Sequence, residues 1–193
     1  MTKEKNKERE NLKVSPEGGD LEGAKSKCIF LDRDGVINKE IGYVFRVEDF
    51  VLTDDIIPSL KKLQEAGFIF IVITNQSGIA KELYTHEDVE AVHKHMLSLM
   101  KENGIKISEI YYCTHHTDVE PCICRKPDSG MLEKAIARFN IDVKQSFMIG
   151  DKERDVQAAE KAGVKGILIE ADSPIMGIAE EICLPQPPPL EGA

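Results

Sequence analysis

Apolar residues follow two rhythms along this chain. Continuous runs of strand length, Cys28-Ile29-Phe30-Leu31 and Phe68-Ile69-Phe70-Ile71-Val72-Ile73, suit strands covered on both faces. Between them apolar positions recur every three or four residues. Ile56, Ile57, Leu60 and Leu63 predict a helix that closes at Gly67. Thr85 with Asp88 three residues on predicts a helix start. That helix runs to about Glu102, with Val89, Val92, Met96 and Leu99 inward. His93 and His95 on it lie two apart, cannot share a face, and are expected at surface or partly buried positions. Further helices are predicted over 131–139, with Ser129 as cap, and over 154–162. Further strands are predicted over 109–112, 146–149 and 166–169. Strands alternating with helices predict an α/β fold, a Rossmann-like doubly wound parallel sheet with helices on both faces.

The organisation follows from where this pattern fades. Residues 1–25 mix lysine, glutamate, asparagine and glycine without aromatics, and are expected to form a disordered tail. Residues 26–175 form the expected single domain, and 184–193 a flexible proline-rich tail. Only about twenty residues separate Gly35 from the first helix, and a helix, a strand and the cysteine loop fill the stretch from Thr74 to Lys126, so neither gap can hold a separate cap domain, since domains rarely fall below ~50 residues.

Composition removes several function classes. The formal net charge is -9, which disfavours a phosphate-backbone binder or an anionic membrane surface. No apolar run approaches the ~18–20 residues needed to span a bilayer. The charged N-terminus lacks an apolar signal core, so the expected compartment is the cytoplasm. The expected protein is a monomer with no nucleic-acid or membrane partner. Three of the 5 cysteines crowd together, which in a reducing compartment suggests a metal before a disulfide.

The chemistry gathers where predicted strands stop. The first ends in Asp32-Arg33-Asp34-Gly35, a sequence that by itself also suits a surface turn. The second ends in Thr74-Asn75-Gln76-Ser77-Gly78, and the fourth in Gly150-Asp151, with Asp155 a helical turn further on. Arg125-Lys126, in the loop after the third strand, can reach the same edge, and that edge is where open α/β sheets bind ligands. Asp32 and Asp151 only accept hydrogen bonds when ionised, so close together they call for a cation, and hard oxygen ligands suit Mg²⁺. Thr74, Asn75 and Lys126 are donors suited to phosphate oxygens. Such a site can support attack by a carboxylate on phosphorus, with Asp34 placed to move the proton.

These segments, in order over 28–169, resemble the four motifs of haloacid dehalogenase (HAD) superfamily phosphatases. The resemblance implies a Mg²⁺-dependent phosphatase with Asp32 as nucleophile and Asp34 as general acid and base. It implies that Thr74 and Lys126 hold the phosphoryl group. It places Mg²⁺ on Asp32, the backbone carbonyl of Asp34, and Asp151, with Asp155 orienting its neighbours.

Cys113-Thr114-His115 and Cys122-Ile123-Cys124 offer four soft or borderline ligands in two close pairs, which fits a tetrahedral structural Zn²⁺ site. His116 competes as ligand, but His115 keeps the one-residue spacing. With this loop the chain resembles two groups within the superfamily, the D-glycero-D-manno-heptose 1,7-bisphosphate phosphatases and the histidinol-phosphate phosphatases. The first resemblance is the fuller, and implies substrate contacts from Glu40, Ile41, Gly42, Tyr43, Thr74, Asn75, Gln76, Ser77, Arg125 and Lys126. Arg125 can grip a second anionic group with its planar fork or serve a structural ion pair. The expected reaction is hydrolysis of the heptose bisphosphate at its 7-phosphate. Histidinol phosphate, a nucleic-acid 3′-phosphate and a non-enzymatic metal-binding role are the alternatives.

Overall fold

The computed structural model describes residues 24–184 except 117, 120 and 121. Its strands are β1 (Lys27–Leu31), β2 (Phe68–Asn75), β3 (Ile107–Cys113), β4 (Phe147–Gly150) and β5 (Lys165–Leu168). All pair in parallel, in the order β3-β2-β1-β4-β5. The helices are α1 (Ile56–Glu65), α2 (His86–Glu102), α3 (Gly130–Phe139), α4 (Glu153–Lys161) and α5 (Met176–Cys183).

The continuous apolar runs work because both sheet faces are covered. Ile29 and Leu31 of β1 join Leu60 of α1, Met96 of α2 and Ile182 of α5 in one core layer. Their neighbours Cys28 and Phe30 join Leu132 of α3 and Ala158 of α4 in the other. These four of the five β1 side chains are fully buried, and each large apolar one contributes roughly 1.5–3 kcal/mol. Helices therefore cover both faces, and β1, between β2 and β4, brings its carboxyl end to the middle of the sheet edge. Among the described residues no cap domain interrupts either gap: residues 32–55 hold only a single 3-10 turn, Val47–Asp49.

The capping box at Thr85 and Asp88 forms as the local spacing predicts. Other features differ from expectation. Ser129 does not cap α3; its backbone is already helical and its hydroxyl donates to Glu133 Oε1 at 2.5 Å. His93 is a buried residue, edge-on to the Tyr112 ring with centroids 5.2 Å apart. The helix α5 lies beyond the expected domain end at 175, yet Ala179 and Ile182 belong to the core. Its N-terminus is held from afar, because Asp55 accepts hydrogen bonds from Ile175 N–H at 3.0 Å and Met176 N–H at 2.7 Å. The expected tails fall almost wholly outside the described residues. Among those described, no helix is long and apolar enough to cross a membrane.

Candidate active site

The first turn after β1 builds the centre. Asp32 N–H still donates to Ile149 O of β4 at 3.0 Å, so the carboxylate leaves from the sheet's middle. Gly35 has φ +84, and a Cβ there would lie 2.7 Å from Asp151 Oδ2. Only glycine supplies both that backbone and that close approach of the β4 acid.

Asp32 is buried with its Oδ1 accepting Arg33 N–H at 2.8 Å, and Lys126 Nζ lies 2.9 Å from the same oxygen. Burial pushes the Asp32 carboxyl up to about 6, against the pull of the Lys126 ammonium. Lys126 is itself buried, 2.7 Å from Asp155 Oδ1, and donates to Ile73 O at 2.6 Å. Burial works against its charge, but Asp32 and Asp155 outweigh that and hold its pKa above the ordinary lysine value.

The expected phosphate donors Lys126 and Asn75, and the expected substrate contact Gln76, are occupied by the protein. Asn75 lines the cavity, but its Nδ2 donates to Lys126 O at 3.0 Å and its Oδ1 accepts Lys126 N–H at 3.1 Å. Asn75 thereby fixes the lysine's loop. The Gln76 amide donates to Asp34 Oδ2 and Thr74 Oγ1, each at 3.0 Å. Asp34 is further gripped by Arg33, whose Nη2 reaches Oδ1 at 2.8 Å and Oδ2 at 2.9 Å, and by Asn38 Nδ2 at 3.0 Å. Arg33 is fully buried and also donates to Val44 O at 2.8 Å.

Asp32, Asp151 and Asp155 bring carboxylate oxygens within 4.8 Å of one another. Asp151 Oδ1 is buried without a hydrogen-bond partner, while Lys152 Nζ sits 2.7 Å from Oδ2. A buried carboxylate oxygen left in that state fits a hard divalent cation as the missing partner. Asp155 has less to offer it, since its oxygens meet Lys126 Nζ and Lys152 N–H, the latter at 3.1 Å.

Cys113, His115, Cys122 and Cys124 converge after β3. Cys113 Sγ lies 3.7 Å from Cys122 Sγ and 3.2 Å from Cys124 Sγ, and His115 Nδ1 is 3.5 and 3.3 Å from Cys113 and Cys124. Zn–S bonds of about 2.3 Å give tetrahedral ligand separations near 3.8 Å, so the set is compatible with zinc. His116 is turned elsewhere, with Nδ1 3.4 Å from Asp118 Oδ2.

A cavity of about 300 Å³ opens over Asp32, Asp34 and Thr74. Glu40, Gly42, Tyr43 and Ser77 line it as expected, whereas Ile41 is exposed and does not. Asp172 Oδ1 accepts Glu40 N–H at 2.8 Å and ties that loop to the segment after β5. Arg125, Arg154, His116 and Lys81 line it too, and Lys81 Nζ donates to Tyr43 Oη at 3.3 Å. Arg125 Nη1 donates to His115 O at 3.1 Å, which joins the cavity lining to the cysteine loop. Sequence reasoning missed Arg33, Lys81, Tyr84, Lys152 and Arg154. Arg154 had a signal, since it adjoins Asp155 in the first turn after Asp151. Arg33 had none, because an intervening motif position carries no spacing of its own.

The HAD-hydrolase-like family matches residues 123–173. The chain is 42% identical over 146 residues to D-glycero-alpha-D-manno-heptose-1,7-bisphosphate 7-phosphatase of Photorhabdus laumondii, covering 72% of this chain and 80% of that one. It is 39% identical over 163 residues to the beta-anomer enzyme of Haemophilus influenzae, covering 81% and 89%. A solved D,D-heptose 1.7-bisphosphate phosphatase of B. bronchiseptica, complexed with magnesium and phosphate, superposes with a TM-score of 0.69 at 32% identity, covering 74% and 79%.

Proposed function

The chain belongs to the heptose bisphosphate phosphatases of the HAD superfamily, phosphoric monoester hydrolases, and we propose that it removes the 7-phosphate of D-glycero-D-manno-heptose 1,7-bisphosphate. The observation that carries this reading is a single cavity lined both by the acids Asp32 and Asp34 and by the guanidinium side chains of Arg125 and Arg154. One phosphate would meet the acids and Lys126, and the other the guanidinium forks. Histidinol phosphate would bring an amine and an imidazole against those cations, which disfavours it. A nucleic-acid 3′-phosphate is opposed by the net charge of -9.

In this reading Asp32 attacks phosphorus, the P–O bond to the sugar breaks, and an aspartyl phosphate forms. Asp34 gives its proton to the departing sugar oxygen, then takes one from the water that displaces phosphate from Asp32. Thr74 would donate to a phosphoryl oxygen as charge develops on it. Lys126, whose N–H bonds meet Asp32, Asp155 and Ile73 O here, would supply positive charge and give up one of these contacts to hold a phosphoryl oxygen. Asp32, the Asp34 carbonyl and Asp151 would hold a magnesium ion, whose charge would offset repulsion between these acids and the phosphate. Cys113, His115, Cys122 and Cys124 would hold Zn²⁺ and so order their loop, and Glu40, Gly42 and Tyr43 line the cavity. The reading includes a monomer in the cytoplasm; the location is supported by the free, crowded thiols.

The test is phosphate release from the heptose bisphosphate, histidinol phosphate and a 3′-phosphorylated oligonucleotide, with Mg²⁺ at physiological salt. The bisphosphate is expected to have the highest kcat/KM, with the 1-phosphate as product. A higher value for either alternative overturns the substrate assignment.

A further inference from the structure

We propose that Tyr84 is a positioning residue for Asp34 and acts through Gln76. The inference rests on the reading of Asp34 as the proton-transfer group. It starts from directed hydrogen bonds. Gly78 N–H donates to Tyr84 Oη at 3.2 Å, and a backbone N–H cannot accept. The single Tyr84 proton is therefore available for Gln76 Oε1, 3.0 Å away. With that oxygen claimed, the Gln76 amide turns its two N–H bonds to the other side, onto Asp34 Oδ2 and Thr74 Oγ1 at 3.0 Å each. Thr74 Oγ1 accepts there, so its own proton remains for a phosphoryl oxygen. One phenol thus sets the orientation of an amide that touches both the acid and a phosphate-holding hydroxyl.

The surroundings fix the phenol itself. The Tyr84 ring is buried, stacked on Phe45 at 5.2 Å between centroids and edge-on to Tyr43 at 5.8 Å. Gly78 has no side chain where one would collide with this ring; a Cβ would come within 2.8 Å of Tyr84 Cδ1. Burial also pushes the Tyr84 hydroxyl up to about 12, so it keeps its proton at working pH. Without the hydroxyl, Gln76 Oε1 loses its donor and the amide is held only by its N–H contacts to Asp34 and Thr74. Asp34 would keep Arg33 and Asn38 but rest on a looser third partner, while the attacking Asp32 kept its own contacts.

The test uses leaving groups. An alkoxide needs a proton to depart, whereas p-nitrophenolate does not, so loss of a general acid shows selectively on alkyl esters. Tyr84→Phe keeps the stacked ring and removes only the hydroxyl. For Tyr84→Phe we expect kcat/KM to fall about tenfold on the heptose bisphosphate and less than about twofold on p-nitrophenyl phosphate. Adding it to Gln76→Leu should cost nothing more, because the path is already cut. Histidinol phosphate serves equally as the alkyl ester if the substrate assignment fails. Equal losses on both esters, or full loss added to Gln76→Leu, overturn the proposal. Asp34→Asn is the reference. If it loses selectively on the alkyl ester and Tyr84→Phe does not, the relay alone is wrong. If it loses equally on both esters, the role of Asp34 is wrong and the relay falls with it.

Discussion

Replacing Lys126 with methionine tests how the centre is held. The ammonium lies 2.9 Å from Asp32 Oδ1 and 2.7 Å from Asp155 Oδ1, with its side chain fully buried. Methionine keeps most of the volume and leaves two buried carboxylates without their countercharge. Breaking a buried pair by removing one partner costs roughly 3–5 kcal/mol. For a domain of this size that lowers Tm by roughly 10 °C. The deficit should depend on pH. Lys126 pulls the Asp32 carboxyl down, and even so burial holds it at about 6, above the ordinary value of 3.8. A carboxyl raised on folding contributes its stability below its unfolded value and loses it as pH rises through the folded one. Without Lys126 that loss grows, so the gap between variant and wild type should be widest above pH 6 and narrow toward pH 4. Thermal unfolding followed by circular dichroism over pH 4–8, with chelator present, measures it. A variant melting within about 2 °C of wild type at pH 8 would refute the reasoning, because the ion pairs would then contribute no net stability.

Three further outcomes are expected. Burial pushes His93 down to about 4 from 6.5, with Arg33 adding to it, so the unfolded chain takes its proton first. Stability should drop as pH falls from about 6.5 to 4, by about 3 kcal/mol at the bottom, and His93→Phe should flatten that slope in urea titrations. Cys124→Ser removes one ligand of the proposed zinc site and should free the loop that carries the Arg125–His115 contact. It should raise KM for the bisphosphate several-fold more than it lowers kcat, alongside loss of zinc measured by atomic absorption. Arg154→Gln should raise KM for the bisphosphate about tenfold and alter KM for p-nitrophenyl phosphate less, since Arg154 lines the cavity and is proposed to meet the second phosphate.

What the sequence made legible was local. The Thr85–Asp88 capping box needs only residues three apart, and it forms. The strand-end acids needed only the apolar runs before them. The helix α5 escaped notice because its N-terminal donors are satisfied by Asp55, which no local pattern announces. His93 was misjudged by comparing it with His95. It follows Val89 by four and precedes Met96 by three, which is the spacing of the inner face. Asn75 and Gln76 were recognisable as donors, but not their partners. Those depend on where Lys126 and Tyr84 arrive from distant loops, and that is settled only by the assembled sheet edge.

The central claim is that Asp32 forms a covalent bond to phosphorus. Acid quenching during turnover with Mg²⁺, followed by mass spectrometry of the peptide containing Asp32, tests it directly. The account predicts a phosphoryl adduct on Asp32 that forms within the first turnover and is absent from Asp32→Asn. Undiminished phosphate release by Asp32→Asn, or an adduct on another residue, would contradict it.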